Sequence, residues 1–173
     1  MDPALHAPVQ ADELRLAMRH WNTGITVVTA IGPNGAPAGI VCNSFTSVSL
    51  EPALVSWCVD RGSSSFDAWC GAEAFSVHIL GEENAGLVPR FAARGTDKFT
   101  GLHTTFSTVG SPALGGVPVR LDCTTWNRYD GGDHVIIVGE VRAIETAADS
   151  ATDTAAPSWT PAGRQPARRQ PCP

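Results

Sequence analysis

The sequence predicts a mainly β protein, an antiparallel barrel or sandwich of five or six strands joined by hairpins. Three observations carry that expectation. Runs of β-branched and apolar residues of strand length recur at 25–31, 54–59, 75–80, 117–126 and 135–144. Turn chemistry punctuates them, with Pro33-Asn34-Gly35 after the first run and Asp130-Gly131-Gly132 between the last two. Helical periodicity is confined to a few short stretches.

In chain order, Leu14, Ala17, Met18 and Trp21 fall at i, i+3, i+4 and i+7 behind Asp12 and Glu13. That spacing, with acidic residues at its start, predicts a short amphipathic helix whose apolar side should cover something. The β-branched stretch from Ile25 to Ile31 then enters a hairpin. Two helical inserts are expected between later strands, one from Ser64 to Trp69 and one from Glu83 to Arg94, where Leu87, Val88 and Phe91 form an apolar stripe. Beyond Thr146 the chain turns Ala/Thr/Asp-rich and then Pro/Arg-rich, with Pro161, Pro166, Pro171 and Pro173. It offers neither periodicity nor a core there, so the expected organisation is one domain over 1–147 and a disordered tail over 148–173.

The chain has 173 residues, enough for a single core. A formal charge of -5 argues against a face built to neutralise nucleic-acid phosphates. No apolar h-region opens the chain and no run approaches a membrane span, so a soluble, cytoplasmic protein is expected, with neither nucleic acid nor membrane as partner. The five cysteines, Cys42, Cys58, Cys70, Cys123 and Cys172, form no C-x-x-C pair and lie near no zinc-like histidine spacing. They read as reduced, small buried hydrophobes, with no metal site expected.

The segment Ala38 to Pro52, AGIVCNSFTSVSLEP, departs from strand alternation. From Asn43 to Ser49 every residue except Phe45 and Val48 carries a small hydrogen-bonding group. Small residues, among them Gly39, let a ligand approach the backbone, and the hydroxyls suit a polar-edged ring or a phosphate. A Ser/Thr-rich turn satisfying its own backbone explains the same residues. Both readings stand at this point.

Several motifs in one order then resemble the flavin reductase family, the small partner enzymes of two-component flavin-dependent monooxygenases. They are TGITVVTA at Thr23 to Ala30, AGIVCNSFTSVSLEPALVSWCVDRGSSSF at Ala38 to Phe66, FSVHIL at Phe75 to Leu80, RFAARGTDKF at Arg90 to Phe99 and GGDHVIIVGEV at Gly131 to Val141. Within that family the chain looks most like reductases that supply hydroxylases of aromatic polyketide biosynthesis. The resemblance implies a six-stranded antiparallel Greek-key split barrel with short flanking helices and a homodimer. It also implies reduction of free FMN by NADH or NADPH, the reduced FMN then diffusing to a monooxygenase partner. The family commonly continues into an apolar segment with an aromatic and a basic residue on the nicotinamide side of the site, and nothing after Thr146 resembles it.

By that resemblance, Asn43, Ser44 and Ser47 take the ring edge and ribityl chain, while Cys58, Val59 and Asp60 line the flavin from the next strand. Arg61 with Ser63, Ser64 and Ser65 precedes an expected helix, where hydroxyls, free N–H groups and the helix dipole favour the flavin phosphate. Arg90, with Phe91 and Ala92, resembles a second contact to that phosphate. His134, after its Gly-Gly-Asp turn, is placed at the barrel rim near flavin and nicotinamide as the catalytic candidate, with Asp133 bonding the turn. Two other functions fit a barrel of this kind: an oxidase that retains its FMN, and a non-catalytic FMN carrier or sensor.

Overall fold

The computed structural model describes residues 11–18, 24–95 and 97–147. Its elements in chain order are α1 (Ala11–Met18), β1 (Thr26–Ile31), β2 (Pro37–Cys42), β3 (Thr46–Leu50), β4 (Ala53–Asp60), α2 (Phe66–Gly71) and β5 (Ala74–Ile79). A 3-10 turn at Glu82–Asn84 leads to α3 (Leu87–Ala92), β6 (Thr104–Phe106), β7 (Pro112–Leu114), β8 (Val119–Gly131) and β9 (His134–Thr146). The mainly β expectation holds, as do the three short helices and the hairpins around residues 32–36 and 131–134. The expected tail lies outside the described residues.

Seven strands pair antiparallel in one sheet, in the order β2-β1-β5-β8-β9-β4-β3. The strand not foreseen is β3, whose small polar residues hide its period. It is held by the ladder it makes with β4. β6 and β7 form a separate two-stranded ribbon, too short for periodicity to reveal.

The order has a geometric consequence. β2 and β3 are the two edges, yet only Asn43, Ser44 and Phe45 connect them. Those links span at most about 14 Å, whereas the edges of a flat seven-stranded sheet lie about 29 Å apart. The sheet therefore curls until its edges approach, although no ladder joins them among the described residues.

The curl encloses a core centred on Trp57, Trp69 and Phe75, all essentially buried. Trp57 meets Trp69 edge-on at 5.1 Å and 86°, and Phe75 at 5.9 Å and 69°. Such edge-to-face pairs add about 1 kcal/mol each beyond the area they remove from water. A second cluster of Val27, Phe91, Leu114 and Val117 lies under α3.

Polar groups pin the ribbon to this core. Burial drives the His78 imidazole down to about 4, so it is neutral. Its Nδ1 lies 3.0 Å from the Val27 carbonyl, and Nε2, 3.0 Å from the Leu114 nitrogen, accepts that N–H. Asp122 takes hydrogen bonds from Ser76, Arg120 and Thr108, which outweigh the upward push of burial and hold its carboxyl low.

The amphipathic first helix is present, but Leu14, Leu16 and Met18 are exposed; Trp21 lies outside the described residues. Cys42, Cys58 and Cys123 are free thiols, whereas Cys70 is disulfide-bonded, a correction to the expectation of five reduced cysteines. Pairing depends on proximity in space, which scattered spacing does not encode.

Candidate functional site

The residues singled out in the sequence gather on two neighbouring parts of the curled sheet. One lies where the β2–β3 connection, the end of β4 and the β8–β9 turn meet. Asn43 and Ser44 are exposed in that connection. The Ser44 hydroxyl accepts the Cys58 N–H at 2.9 Å and lies 3.1 Å from Cys42 Sγ. It thereby continues the hydrogen bonding of β4 beyond the Thr46–Ser56 pair at which β3 begins.

Burial raises the Cys58 thiol, the Ser44 hydroxyl partly offsets this, and Cys42 adds to the rise. Cys58 is thus a protonated thiol at neutral pH, unsuited to act as a nucleophile. Val59 is fully buried with Trp57 in the core, which corrects its expected place along the flavin: its side chain packs inward, and no part of the residue is open to a ligand. Ser47 pairs with the buried Val55, whereas Thr46 pairs with Ser56, so Ser47 and Cys58 lie on opposite faces of the sheet.

Asp60 is exposed, its carboxylate accepting the Gly62 N–H at 2.7 Å. Its register partner across β4 and β9 is His134. Gly132 and Asp133 form the two-residue turn, one residue later than the sequence suggested, and Gly132 has φ +80. A glycine in first position with positive φ matches the right-handed twist of the flanking strands. His134 stands at the rim with a partly exposed side chain, its Nδ1 2.7 Å from the Asp133 carboxylate. Asp133 therefore does more than bond the turn: it orients the imidazole. The i, i+1 spacing was visible, but not the direction of the two side chains.

The Ser63–Ser65 turn follows directly. Ser63 Oγ and Ser65 Oγ are 3.2 Å apart, and Ser65 Oγ accepts the Trp69 indole N–H at 3.0 Å. Both hydroxyls serve the turn and the core, while Ser64 is exposed.

The second part is α3 on β2. Phe91 is fully buried and packs edge-on against Phe99 at 5.3 Å. A Cβ at Gly39 would lie 2.4 Å from Phe91 Cε1, so the small residue expected to admit a ligand admits this ring instead. Phe91 is a core residue, and Ala92 is exposed beside it. Arg90 donates from Nε to the Lys98 carbonyl at 2.7 Å and from Nη2 to the Thr100 carbonyl, fastening the loop that follows α3. Among the described residues no hydrogen bond joins Arg90 to the Ser63–Ser65 turn. Lys98 Nζ donates to the Gly39 and Phe91 carbonyls, and burial lowers its pKa. No group of metal-ligating side chains occurs among the described residues, nor does a helix long and apolar enough to cross a membrane.

Comparison with known proteins places this arrangement. The flavin reductase like domain model matches residues 18–159. A flavin reductase from Pseudomonas putida is 39% identical over 131 residues, 76% of this chain and 77% of the relative. An FMN reductase (NADH), SmoA, from Agrobacterium fabrum is 41% identical over 127 residues, 73% of this chain and 72% of its own length. The crystal structure of nitrilotriacetate monooxygenase component B from Mycobacterium thermoresistibile superposes with a TM-score of 0.73 at 34% identity, covering 80% of this chain and 79% of that one. A match over most of the chain, with relatives near two-fifths identity along three-quarters of it, shows that the chain belongs to the flavin reductase like domain family.

Proposed function

We propose that the protein is an NAD(P)H-dependent flavin reductase that reduces free FMN and supplies it to a separate flavin-dependent monooxygenase. The family match along the chain carries this reading. Relatives named as an FMN reductase (NADH) and as a monooxygenase component point the same way.

The rim fits such a ligand. A flavin needs an apolar face, hydrogen-bonding groups along its polar edge and a polar site for its phosphate. Half-exposed Cys58 and Ile136 are cross-strand neighbours on β4 and β9, with Asn43 and Ser44 at one end and His134 at the other. Bound flavin supplies the hydride acceptor, and bound NADH or NADPH the donor. The chain's own part is positional. Asn43 and Ser44, with half-exposed Cys58 and exposed Asp60, orient the ring. Ser63, Ser64 and Ser65, with Arg90 of α3, receive the phosphate.

Asp133 holds His134 Nδ1, which leaves Nε2 to accept a hydrogen bond from the nicotinamide amide and so orient it. No side-chain nucleophile takes part, consistent with the protonated Cys58.

We read the curled sheet as the family's six-stranded Greek-key split barrel with β3 as an added edge strand, assembled as a cytoplasmic homodimer. Residues 1–147 form the domain and 148–173 a tail. Size-exclusion chromatography with light scattering tests the dimer. Mixing protein, FMN and NADH or NADPH without oxygen tests the activity. Catalytic bleaching of flavin supports the reductase, whereas stoichiometric binding without bleaching identifies a carrier.

A further inference from the structure

We infer that Arg61 is a positioning residue for His134, locking the β8–β9 turn to the end of β4, and not a ligand for the flavin phosphate. This rests on the reading of the chain as a flavin reductase with His134 at the transfer site. The sequence places Arg61 with the serine turn; the contacts place it elsewhere.

Its backbone N–H donates to the Asp133 carbonyl at 3.0 Å, one step past the last β4 to β9 pair, Asp60 with His134. Its Nε donates to the Gly132 carbonyl at 2.9 Å, and its Nη2 pairs with Asp130 Oδ1 at 2.7 Å. One residue thus grips three of the four residues from Asp130 to Asp133. Asp130 Oδ1 also accepts the Gly132 N–H at 3.3 Å, so the carboxylate links guanidinium and turn.

A glycine-containing hairpin tip is ordinarily the least restrained part of its strands. Here the tip carries Asp133, whose carboxylate meets His134 Nδ1 at 2.7 Å. The direction of the imidazole therefore depends on where the turn is held. The two side-chain contacts use the rigid fork of a guanidinium, and a lysine ammonium reproduces at most one at a time.

The test compares Arg61→Met, Arg61→Lys and Asp130→Asn with the parent protein. FMN and riboflavin binding are titrated by fluorescence quenching, and the His134 ring nitrogens are followed by 15N NMR in the flavin-free protein. Flavin reduction is then followed in an anaerobic stopped-flow instrument. In the parent, the His134 signals should report predominantly the tautomer protonated at Nδ1. In Arg61→Met they should average towards a mixture. The reduction rate should fall about tenfold, with Arg61→Lys intermediate and Asp130→Asn non-additive with it. FMN and riboflavin affinities should change together, by less than about threefold.

A loss of FMN affinity tenfold greater than that of riboflavin would make Arg61 a phosphate ligand and overturn the inference. Unchanged His134 signals in all three variants would overturn it too. Should Arg61→Met not fold, the lysine and asparagine variants decide alone. Failure of the parent to reduce flavin would defeat the reductase reading, while the NMR comparison would still settle the link between Arg61 and His134.

Discussion

The ring of Phe91 lies directly on Gly39: a Cβ at that glycine would come within 2.4 Å of Phe91 Cε1 and 2.6 Å of Cδ1. The Lys98 ammonium bridges the carbonyls of the same two residues at 2.9 and 2.8 Å. α3, and with it Arg90, is seated on β2 by this contact.

Gly39→Ala should therefore push Phe91 out of its seat. Overpacking of this kind costs about 1 to 3 kcal/mol. Urea denaturation should show the loss, and FMN affinity should fall because Arg90 moves with the helix. Unaltered stability would mean that α3 shifts without strain.

Replacing Ser63 and Ser65 together by Ala should weaken FMN more than riboflavin, which lacks the phosphate. Hydrogen bonds to a charged group are worth about 1.5 to 3 kcal/mol, so a selective loss of about tenfold or more is expected. The Trp69 indole also loses its partner, at roughly 1 kcal/mol of stability. Fluorescence titration with both flavins separates the two effects; equal losses would place the phosphate elsewhere.

His134→Ala should slow reduction of bound FMN while leaving flavin affinity nearly intact. A drop on the order of ten- to a thousandfold fits one polar group acting in the transition state. Anaerobic stopped-flow absorbance isolates the step from flavin release. An unchanged rate would reduce His134 to a turn residue and leave transfer to ring stacking and backbone donors.

Stability should fall in mild acid because of His78. Burial drives its folded-state pKa from 6.5 down to about 4. Between these values the unfolded chain binds the proton that the folded chain refuses, so stability is full above about pH 6.5 and declines as the pH drops towards 4. The loss is on the order of 3 kcal/mol. Urea midpoints across that range measure it, and His78→Gln should flatten this limb even though it lowers stability at neutral pH. A parent whose midpoint does not change from pH 6.5 to 4 would contradict the buried neutral imidazole.

By itself, the sequence determined the elements with a strong local signal and the chemical character of the site. β-branched runs and turn residues mark β1, β4, β5, β8 and β9, because strand preference and turn chemistry are properties of short stretches. The small polar residues around Asn43 and the Gly-Gly-Asp-His turn marked the rim for the same reason. Only the tertiary structure decided which of those residues face outward and what their polar atoms are bonded to. Ser44 is committed to Cys58, Ser65 to Trp69, Arg90 to its own loop and Arg61 to the β8–β9 turn. Val59 and Phe91 went to the core, and Thr46–Leu50 became a strand through its ladder with β4. The four hydrogen bonds reach partners 4 to 71 residues away, and a hydrogen bond or a packed ring is set by its partner's place in the curled sheet.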